Sequence, residues 1–273
     1  MRRVAAQIVE FPRYVAFVFR VCGVGVGMRM LAVTVAALPR IVRTRTLRSV
    51  DAEMSRLCPP VRLRDGWTRW QRVDFGIFRD IMFRRVYEPD AAFMPRSGDT
   101  VVDLGANDGV FSVLTAKAIG HGRVIAVEAQ ADECALIARH AQMNSVAAIV
   151  TPVHGFVGAG GVLARADSGS ATALDLDVLF ESMQIEHVAL MKIDIEGSEF
   201  ALFEAPGAWL ASVDRIAMEA HPPHGDVASL CLRLRRAGFS VWTANSSTPA
   251  AMYVYADRRG LAPPAAKDTE VAA

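Results

Sequence analysis

The sequence predicts an α/β fold in which helices cover both faces of a mostly parallel sheet. From residue 100 onward, short apolar runs rich in β-branched residues alternate with segments whose apolar residues recur every three or four positions. Strands and helices that alternate in this way form parallel sheets. The chain has 273 residues, of which 52% are hydrophobic, so it can bury a core without disulfide or metal staples. The same composition excludes a disordered chain and a cysteine-rich secreted scaffold.

Seven strands are predicted in this region, separated by helices. The predicted strands are Thr100–Leu104, Arg123–Ala129, Ala147–Val153, His187–Ile195, Val213–Ala220, Phe239–Ala244 and Met252–Tyr255. Helices are predicted at Val110–Ile119, along the apolar stripe from Cys134 to Ala141, from Ser198 onward, and along the stripe from Val227 to Leu234. No long helix separates the last two strands, so they are expected to pair antiparallel at a sheet edge. Upstream, Val73, Ile77 and Ile81 mark one face of a further helix.

Charge and composition divide the chain into three parts. Residues 1–59 form a basic, apolar extension, because residues 1–50 hold nine arginines and a single acid, Glu10. Residues 60–258 form the α/β domain, and residues 259–273 are expected to be a disordered tail. The net charge of +1 gives no argument for nucleic-acid binding. The four cysteines lack C-x-x-C or zinc-type spacing, which favours a reducing, cytoplasmic location.

The extension has two interpretations. Residues 11–38 are mostly apolar, but Arg20 and Arg29 interrupt them, so neither side provides the roughly 20 uncharged apolar residues of a transmembrane helix. Gly23, Gly25 and Gly27 weaken a helix further. One interpretation is a helical subdomain packed on the α/β domain. The other is a segment that lies on an anionic membrane surface and directs its arginines to the head groups.

The turn after the first strand predicts a nucleoside site. Asp103–Gly109 (DLGANDG) is followed directly by a helix, and its glycines permit a close approach of backbone to ligand. Glu128 ends the second strand, where its carboxylate can accept hydrogen bonds from a ribose diol. The turn lacks the central glycine of a dinucleotide fingerprint, and Asp108 stands where a pyrophosphate would approach. This pattern favours S-adenosylmethionine.

Acidic residues follow the later strands at the same edge of the sheet. Asp194 and Glu196 are candidate bases that remove a hydroxyl proton during methyl transfer. Lys192 can hold a carboxylate or polarise the acceptor oxygen, and Glu219 and His221 can bind the acceptor or share the role of base. No metal is predicted, because histidine pairs with metal-binding spacing are missing from the sequence.

Glu199 and Ser198 have a structural interpretation. Ser198 is expected to cap a helix, with Glu199 at the positive end of the helix dipole.

Three blocks of the sequence resemble the FkbM-type S-adenosylmethionine-dependent methyltransferases. They are residues 101–112 (VVDLGANDGVFS), 124–128 (VIAVE) and 191–199 (MKIDIEGSE). Residues 74–78 followed by Tyr87, and residues 173–175, are also similar to this family, and the resemblance covers roughly residues 60–257. The stretch between Val153 and Asp175, which helps to shape the acceptor pocket in the family, is short and rich in Gly and Ala.

The resemblance implies a class I methyltransferase sheet that binds S-adenosylmethionine and methylates a hydroxyl of a saccharide, glycolipid or natural product. It further implies that the methionine and ribose side is lined by Asp103, Gly105, Ala106, Asn107 and Gly109, and that Glu128 takes the ribose hydroxyls. Two alternatives stay open. One is an NAD-dependent oxidoreductase or epimerase, and the other is a catalytically silent binding module that docks to membranes through residues 1–50.

Overall fold

A computed structural model of the chain describes residues 2–44, 46–57, 61–62, 69–158, 171–246 and 250–260. The side chains of residues 2–9, 61–62 and 69 are outside this description. Two predictions concern segments that lie partly outside it as well. They are the tail at 259–273, of which 261–273 are not described, and the stretch between Val153 and Asp175, of which 159–170 are not described.

A seven-stranded sheet forms the centre of the α/β domain. The described strands are β1 (Val61–Arg62), β2 (Arg69–Trp70), β3 (Thr100–Leu104), β4 (Arg123–Glu128), β5 (Val150–His154), β6 (Phe156–Val157), β7 (Ala173–Leu174), β8 (Leu190–Ile193), β9 (Arg215–Ala220), β10 (Ser240–Asn245) and β11 (Met252–Asp257). The large sheet has the order β10-β11-β9-β8-β3-β4-β5, and β11 alone runs antiparallel to its neighbours. The predicted mostly parallel sheet is confirmed. The antiparallel strand is second from the edge, and β10 is the edge strand.

Helices lie on both faces of this sheet and before it in the chain. They are α1 (Arg2–Cys22), α2 (Val24–Thr44), α3 (Arg48–Leu57), α4 (Phe75–Phe78), α5 (Val110–Ile119), α6 (Ala131–Met143), α7 (Leu176–Ser182), α8 (Glu199–Leu202) and α9 (Val227–Arg236). Arg79–Phe83 is a π-helix, and Ala208–Ser212 and Pro222–His224 are 3₁₀-helices.

Two predicted boundaries differ from the structure for local reasons. The strand expected from Ala147 begins at Val150, because the N–H groups of Ile149 and Val150 both donate to the carbonyl of Val146 and close a turn. The helix expected along Val73, Ile77 and Ile81 is short. It is α4, whose first turn is capped by the Asp74 carboxylate, and it runs directly into the π-helix.

The N-terminal helices pack against the α/β domain. The buried side chain of Tyr14 donates its O–H to the carbonyl of Phe75, and the carboxylate of Glu10 accepts two hydrogen bonds, of 2.7 and 2.6 Å, from the guanidinium of Arg84. The helical path breaks at Gly23, which has φ +90°. Gly27 keeps α1 and α2 close, because a Cβ there would lie 2.5 Å from the Phe19 ring.

In the described part of the chain, α2 is the one helix long and apolar enough to cross a bilayer by length and composition. Only 22% of its most apolar 18-residue window is buried inside the protein.

Candidate active site

A cleft of about 690 Å³ opens at the carboxyl ends of β3, β4, β8 and β9. Open α/β sheets bind ligands at this edge. Nine of the eleven site residues predicted from the sequence lie on its wall: Gly105, Ala106, Asn107, Glu128, Lys192, Asp194, Glu196, Glu219 and His221. Asp103 and Gly109 do not belong to that wall.

The turn after β3 needs glycine at position 105. Gly105 has φ +76°, and a Cβ there would lie 1.8 Å from the carbonyl oxygen of Asp194. The N–H groups of Gly105 and Ala106 both donate to the carbonyl of Val127 at 3.0 Å, so the turn is held between β4 and β8. Because no side chain covers the backbone at Gly105, a nucleoside can lie across these strand ends.

Glu128 presents a carboxylate to the same part of the cleft. Its Oε2 accepts a hydrogen bond from the N–H of Asn107 and its Oε1 accepts one from the N–H of Gln130, both at 2.8 Å. Each oxygen keeps a second lone pair for a ligand hydroxyl. Burial raises the pKa of Glu128, and the two backbone donors oppose that shift. The glycine turn and this acceptor pair together fit the ribose of S-adenosylmethionine.

Asp103 is not part of the cleft wall and stabilises the end of β3 through its contacts. Its side chain is fully buried, accepts a hydrogen bond from the Ser112 hydroxyl at 2.6 Å, and pairs with the Lys192 ammonium at 3.0 Å. Lys192 also donates to the carbonyl of Gly105 at 2.6 Å. Burial lowers the pKa of Lys192, but Asp103 and Asp194 more than offset this and leave the pKa above its ordinary value. Lys192 therefore holds a carboxylate, as one of its two predicted roles requires.

Gly109 and Asp108 also contact other parts of the protein and do not line the cleft. Gly109 has φ +81° and packs close to Ile137. The interpretation of Asp108 as an acid facing the cofactor is wrong, because its carboxyl group is buried away from the cleft and lies 3.4 Å from the N–H groups of Asp74 and Val110. Burial raises the pKa of Asp108 to about 7.

Asp194 stands at the end of β8 with one oxygen already engaged. The hydroxyl of Tyr87 donates to Asp194 Oδ2 at 2.9 Å, so Oδ1 is the oxygen left to face the cleft and His221. Tyr87 is buried and also lies on the cleft wall. Tyr87 and Asp194 are 107 positions apart in the chain, so no local pattern pointed to this contact.

Glu196 lies at the rim, on a strained piece of backbone. Its φ is +51°, in the left-handed region, and it is followed by Gly197 with φ +101°. The side chain is 61% exposed. The partial loss of water around the carboxyl group, followed by the charge of Asp194, raises the pKa of Glu196.

A buried carboxylate orients His221. Glu199 is fully buried, and its Oε1 accepts hydrogen bonds from the N–H of His221 at 2.7 Å and from His221 Nδ1 at 3.2 Å. Its other oxygen accepts from the N–H of Gly197 at 2.8 Å. The interpretation of Glu199 as a dipole partner of a capped helix is therefore incomplete, and Ser198, although at the N-cap position, makes no side-chain capping bond.

The environment of His221 favours its cationic form. Burial lowers its pKa, but the hydrogen bond and charge of Glu199, with the charges of Asp194 and Glu196, raise the pKa to about 9. Its Nε2 lies 3.4 Å from Glu196 Oε2 and 3.9 Å from Asp194 Oδ1. The raised pKa favours the imidazolium form, in which His221 supplies positive charge to the two acids and has no free lone pair for a proton.

Glu219 holds a proton more strongly than an ordinary carboxyl group does. Burial, followed by the charge of Asp194, raises the pKa of Glu219 to about 8. A protonated carboxyl group donates a hydrogen bond, so Glu219 can bind an acceptor oxygen on the side of the cleft formed by β9.

A cation could also be accommodated at the rim. Within the described ranges, one oxygen each of Asp194 and Glu196 and one nitrogen of His221 lie within 4.8 Å of one another. A metal ion binds neutral imidazole, so it would compete with the proton of His221. The sequence-based expectation of no metal stays a prediction.

The N-terminal part of the chain contributes wall residues that the sequence did not indicate. Arg48 and Asp51 from α3, and Arg79 from the π-helix, also line the cleft. Asp51 and Arg79 form a buried ion pair at 2.5 Å, and burial raises the pKa of Asp51 to about 6. Their long separation in the chain from the glycine turn left no spacing signal.

Comparisons with known proteins identify relatives of this fold. The family described as the methyltransferase FkbM domain matches residues 103–241. Among solved structures, the chain is similar to precorrin-6y C5,15-methyltransferase from Geobacter metallireducens GS-15, with 17% identity, coverage of 59% of this chain and 81% of that chain, and a TM-score of 0.40. It is also similar to a SAM-dependent O-methyltransferase from Thermotoga maritima, with 16% identity, 61% and 62% coverage, and a TM-score of 0.41.

A third similar structure is fibrillarin from Aeropyrum pernix with natively bound S-adenosyl-L-methionine, at 14% identity, 59% and 67% coverage, and a TM-score of 0.41. No curated protein matches the chain.

Proposed function

The chain belongs to the FkbM methyltransferase family and is an S-adenosylmethionine-dependent enzyme, and we propose that it methylates a hydroxyl group of a saccharide, glycolipid or natural product. The observation that carries the proposal is the group formed by Asp194, Glu196 and His221 at the rim of the cleft, next to the glycine turn. Oxygen acceptors need such a base, because the pKa of an alcohol lies far above neutrality.

The donor site is formed by the turn at Gly105–Asn107 and the carboxylate of Glu128. When bound there, S-adenosylmethionine supplies an electrophilic methyl group on a sulfonium leaving group. The protein itself has to hold the acceptor oxygen in line with this methyl group and to take its proton.

Asp194 is the proposed base. Its Oδ2 is held by the Tyr87 hydroxyl, which fixes the carboxylate and leaves Oδ1 for the proton of the acceptor. As the oxygen–methyl bond forms, the hydroxyl proton moves to this oxygen. The imidazole of His221 lies 3.9 Å from Asp194 Oδ1 and 3.4 Å from Glu196 Oε2, so it is placed to bind and orient these two carboxylates.

Glu199 acts as a positioning residue. It holds the Nδ1 side of His221, so that Nε2 is directed toward the two rim acids. Glu219 in its protonated form donates a hydrogen bond to the acceptor, and the N-terminal wall with Arg48 and Asp51 closes the acceptor side.

A double variant tests the proposed base. Asp194→Asn with Glu196→Gln should reduce methyl transfer by about 10²–10⁴-fold, the usual contribution of a general base, while S-adenosylhomocysteine binds in calorimetry as tightly as to the wild type. Glu204→Gln, an exposed acid just after α8, is the matched control.

The acceptor is identified in cells by mass spectrometry of envelope glycans and lipids, comparing a strain that lacks the gene with strains restored by the wild type or the double variant. A product heavier by one methylene group should appear only with the wild type. If the double variant restores it fully, the base lies elsewhere, and if no such product appears in either fraction, the proposed acceptor class is wrong.

A further inference from the structure

The surface of helix α2 carries an apolar stripe that nothing in the protein covers. Six large hydrophobic side chains, each 39–74% exposed, recur at alternating spacings of four and three along this helix: Val24, Met28, Leu31, Val35, Leu38 and Val42. In the described part of the chain there are eleven exposed large hydrophobic residues, and these six are the ones that share a single helix. Contiguous exposed apolar surface of this kind marks an interaction site.

The opposite face of the same helix is occupied. Gly27, Met30, Val33 and Ala37 are buried against the rest of the protein. With α1 and the α4 region, Met30, Val33 and Ala37 form one apolar cluster that includes Tyr14. The helix is therefore fixed in orientation, and the stripe is presented outward as part of a folded surface.

The charge around the stripe is almost entirely positive. Arg40 and Arg43 lie exposed in the last two turns of α2, and Arg48 lies exposed at the start of α3. Helix α2 contains no acidic residue, and the one acid of residues 1–50, Glu10, is bound by Arg84. An occupant of the stripe consequently meets Arg40, Arg43 and Arg48 near one end of the apolar surface, and of these Arg40 has a charge interaction with Glu53 of α3.

This charge pattern disfavours a second copy of the chain as the occupant. The four-three spacing would suit a coiled-coil seam. Helix α2 carries Arg29, Arg40 and Arg43 and no acid, so two copies packed through it would bring two positively charged helices together, and like charges repel. An anionic bilayer can bind both features, because its acyl region buries the apolar stripe and its phosphate head groups pair with the arginines.

We propose that α2 docks the protein to the surface of an anionic membrane, with the stripe from Val24 to Val42 inserted and Arg40, Arg43 and Arg48 at the head groups. The helix lies on the bilayer and does not cross it, because its other face is buried in the protein core. This inference goes beyond the proposed function and does not rest on it.

Docking through this face also places the cleft near the bilayer. Helix α3 begins four residues after α2 ends, and it contributes Arg48, Asp51 and Ala52 to the cleft wall. A methyl acceptor located at the head-group level would therefore meet the part of the cleft wall that α3 forms.

The test is flotation of the full-length protein with vesicles of phosphatidylcholine alone and of phosphatidylcholine with phosphatidylglycerol. The wild type should float with the anionic vesicles, and 0.5 M salt should release it. Val35→Glu with Val42→Glu should abolish flotation. Val178→Glu, which changes a valine on α7 of similar exposure, should leave it unchanged.

Charge is tested separately. Arg40→Gln with Arg43→Gln should weaken binding to anionic vesicles about 25-fold, because each arginine near the surface contributes about fivefold. The matched control is Arg235→Gln with Arg236→Gln at the end of α9. Far-UV circular dichroism and S-adenosylhomocysteine binding verify that every variant is folded.

Four outcomes would overturn the proposal. The first two are absence of flotation with anionic vesicles and equal flotation of the Val35/Val42 variant and the wild type. The third is retention on the vesicles in high-salt and carbonate washes, as expected of a spanning helix. The fourth is a dimer of the wild type in light scattering that becomes a monomer in the Val35/Val42 variant. The last outcome would assign the stripe to a second copy of the chain.

Discussion

The contribution of Glu128 to cofactor binding can be worked out from its contacts. Both carboxylate oxygens already accept one backbone N–H each, from Asn107 and Gln130, and each has one lone pair left for a ribose hydroxyl. Hydrogen bonds to a charged acceptor contribute about 1.5–3 kcal/mol each. Two such bonds amount to about 3–6 kcal/mol, which corresponds to roughly 10²–10⁴-fold in affinity.

Glu128→Ala should therefore weaken S-adenosylhomocysteine binding by that factor in isothermal titration calorimetry. Glu128→Gln should lie between this variant and the wild type, because its amide keeps one acceptor oxygen but turns an NH₂ group toward a backbone donor. Glu181→Ala, which removes an exposed acid on α7, serves as the control and should bind as the wild type does. A cooperatively folded Glu128→Ala protein whose affinity stays within about threefold of the wild type would refute the ribose role.

Three further predictions concern buried charges. The pKa of the Asp108 carboxyl group is about 7 in the folded protein against an ordinary 3.8, so ionisation above pH 5 favours the unfolded chain. The unfolding free energy of the wild type should therefore fall by about 3 kcal/mol between pH 5 and pH 8. Asp108→Asn lacks this carboxyl group and should not show that loss. Lys192→Met should cost about 3–5 kcal/mol in urea unfolding, since it leaves Asp103 buried without a counter-charge. Glu199→Gln should lower the pKa of His221 by about 1–3 units in an NMR titration, and methyl transfer should fall while S-adenosylhomocysteine affinity is kept.

Each of these changes has a matched control. Asp132→Asn on the exposed side of α6 should show no pH-dependent gain, Lys117→Met should unfold close to the wild type, and Glu204→Gln should leave the titration of His221 unchanged. A constant stability difference for Asp108→Asn across this pH range would contradict the assigned protonation. An unchanged urea midpoint for Lys192→Met, or an unchanged His221 titration in Glu199→Gln, would contradict the respective contacts.

The sheet and the donor side of the cleft follow from short-range patterns. The apolar run at β3, the glycine turn after it and Glu128 at the end of β4 are readable because each is set by residues within a few positions, and because parallel strands bring their carboxyl ends to one edge. For the same reason the positions of Asp194 and Glu219 near the cleft could be predicted from the ends of β8 and β9.

The roles of individual polar groups could not be predicted in this way. Glu199 looked like a helix-start residue and proved to be the buried partner of His221. Asp108 looked like part of the ligand surface and proved to point inward. Tyr87 reaches Asp194 from 107 positions away. Spacing along the chain does not specify the direction of a side chain at a turn, which depends on what packs against it.

The amino-acid sequence by itself determined that this is an α/β chain with a glycine turn after β3, a carboxylate at the end of β4, acids at the later strand ends and a basic, apolar extension. Only the tertiary structure decided which of those acids are paired, which histidine lies among three carboxylates, and that one face of α2 is buried while the other is exposed. Secondary structure depends on neighbours in the chain, whereas protonation and exposure depend on neighbours in space, and folding alone brings those together.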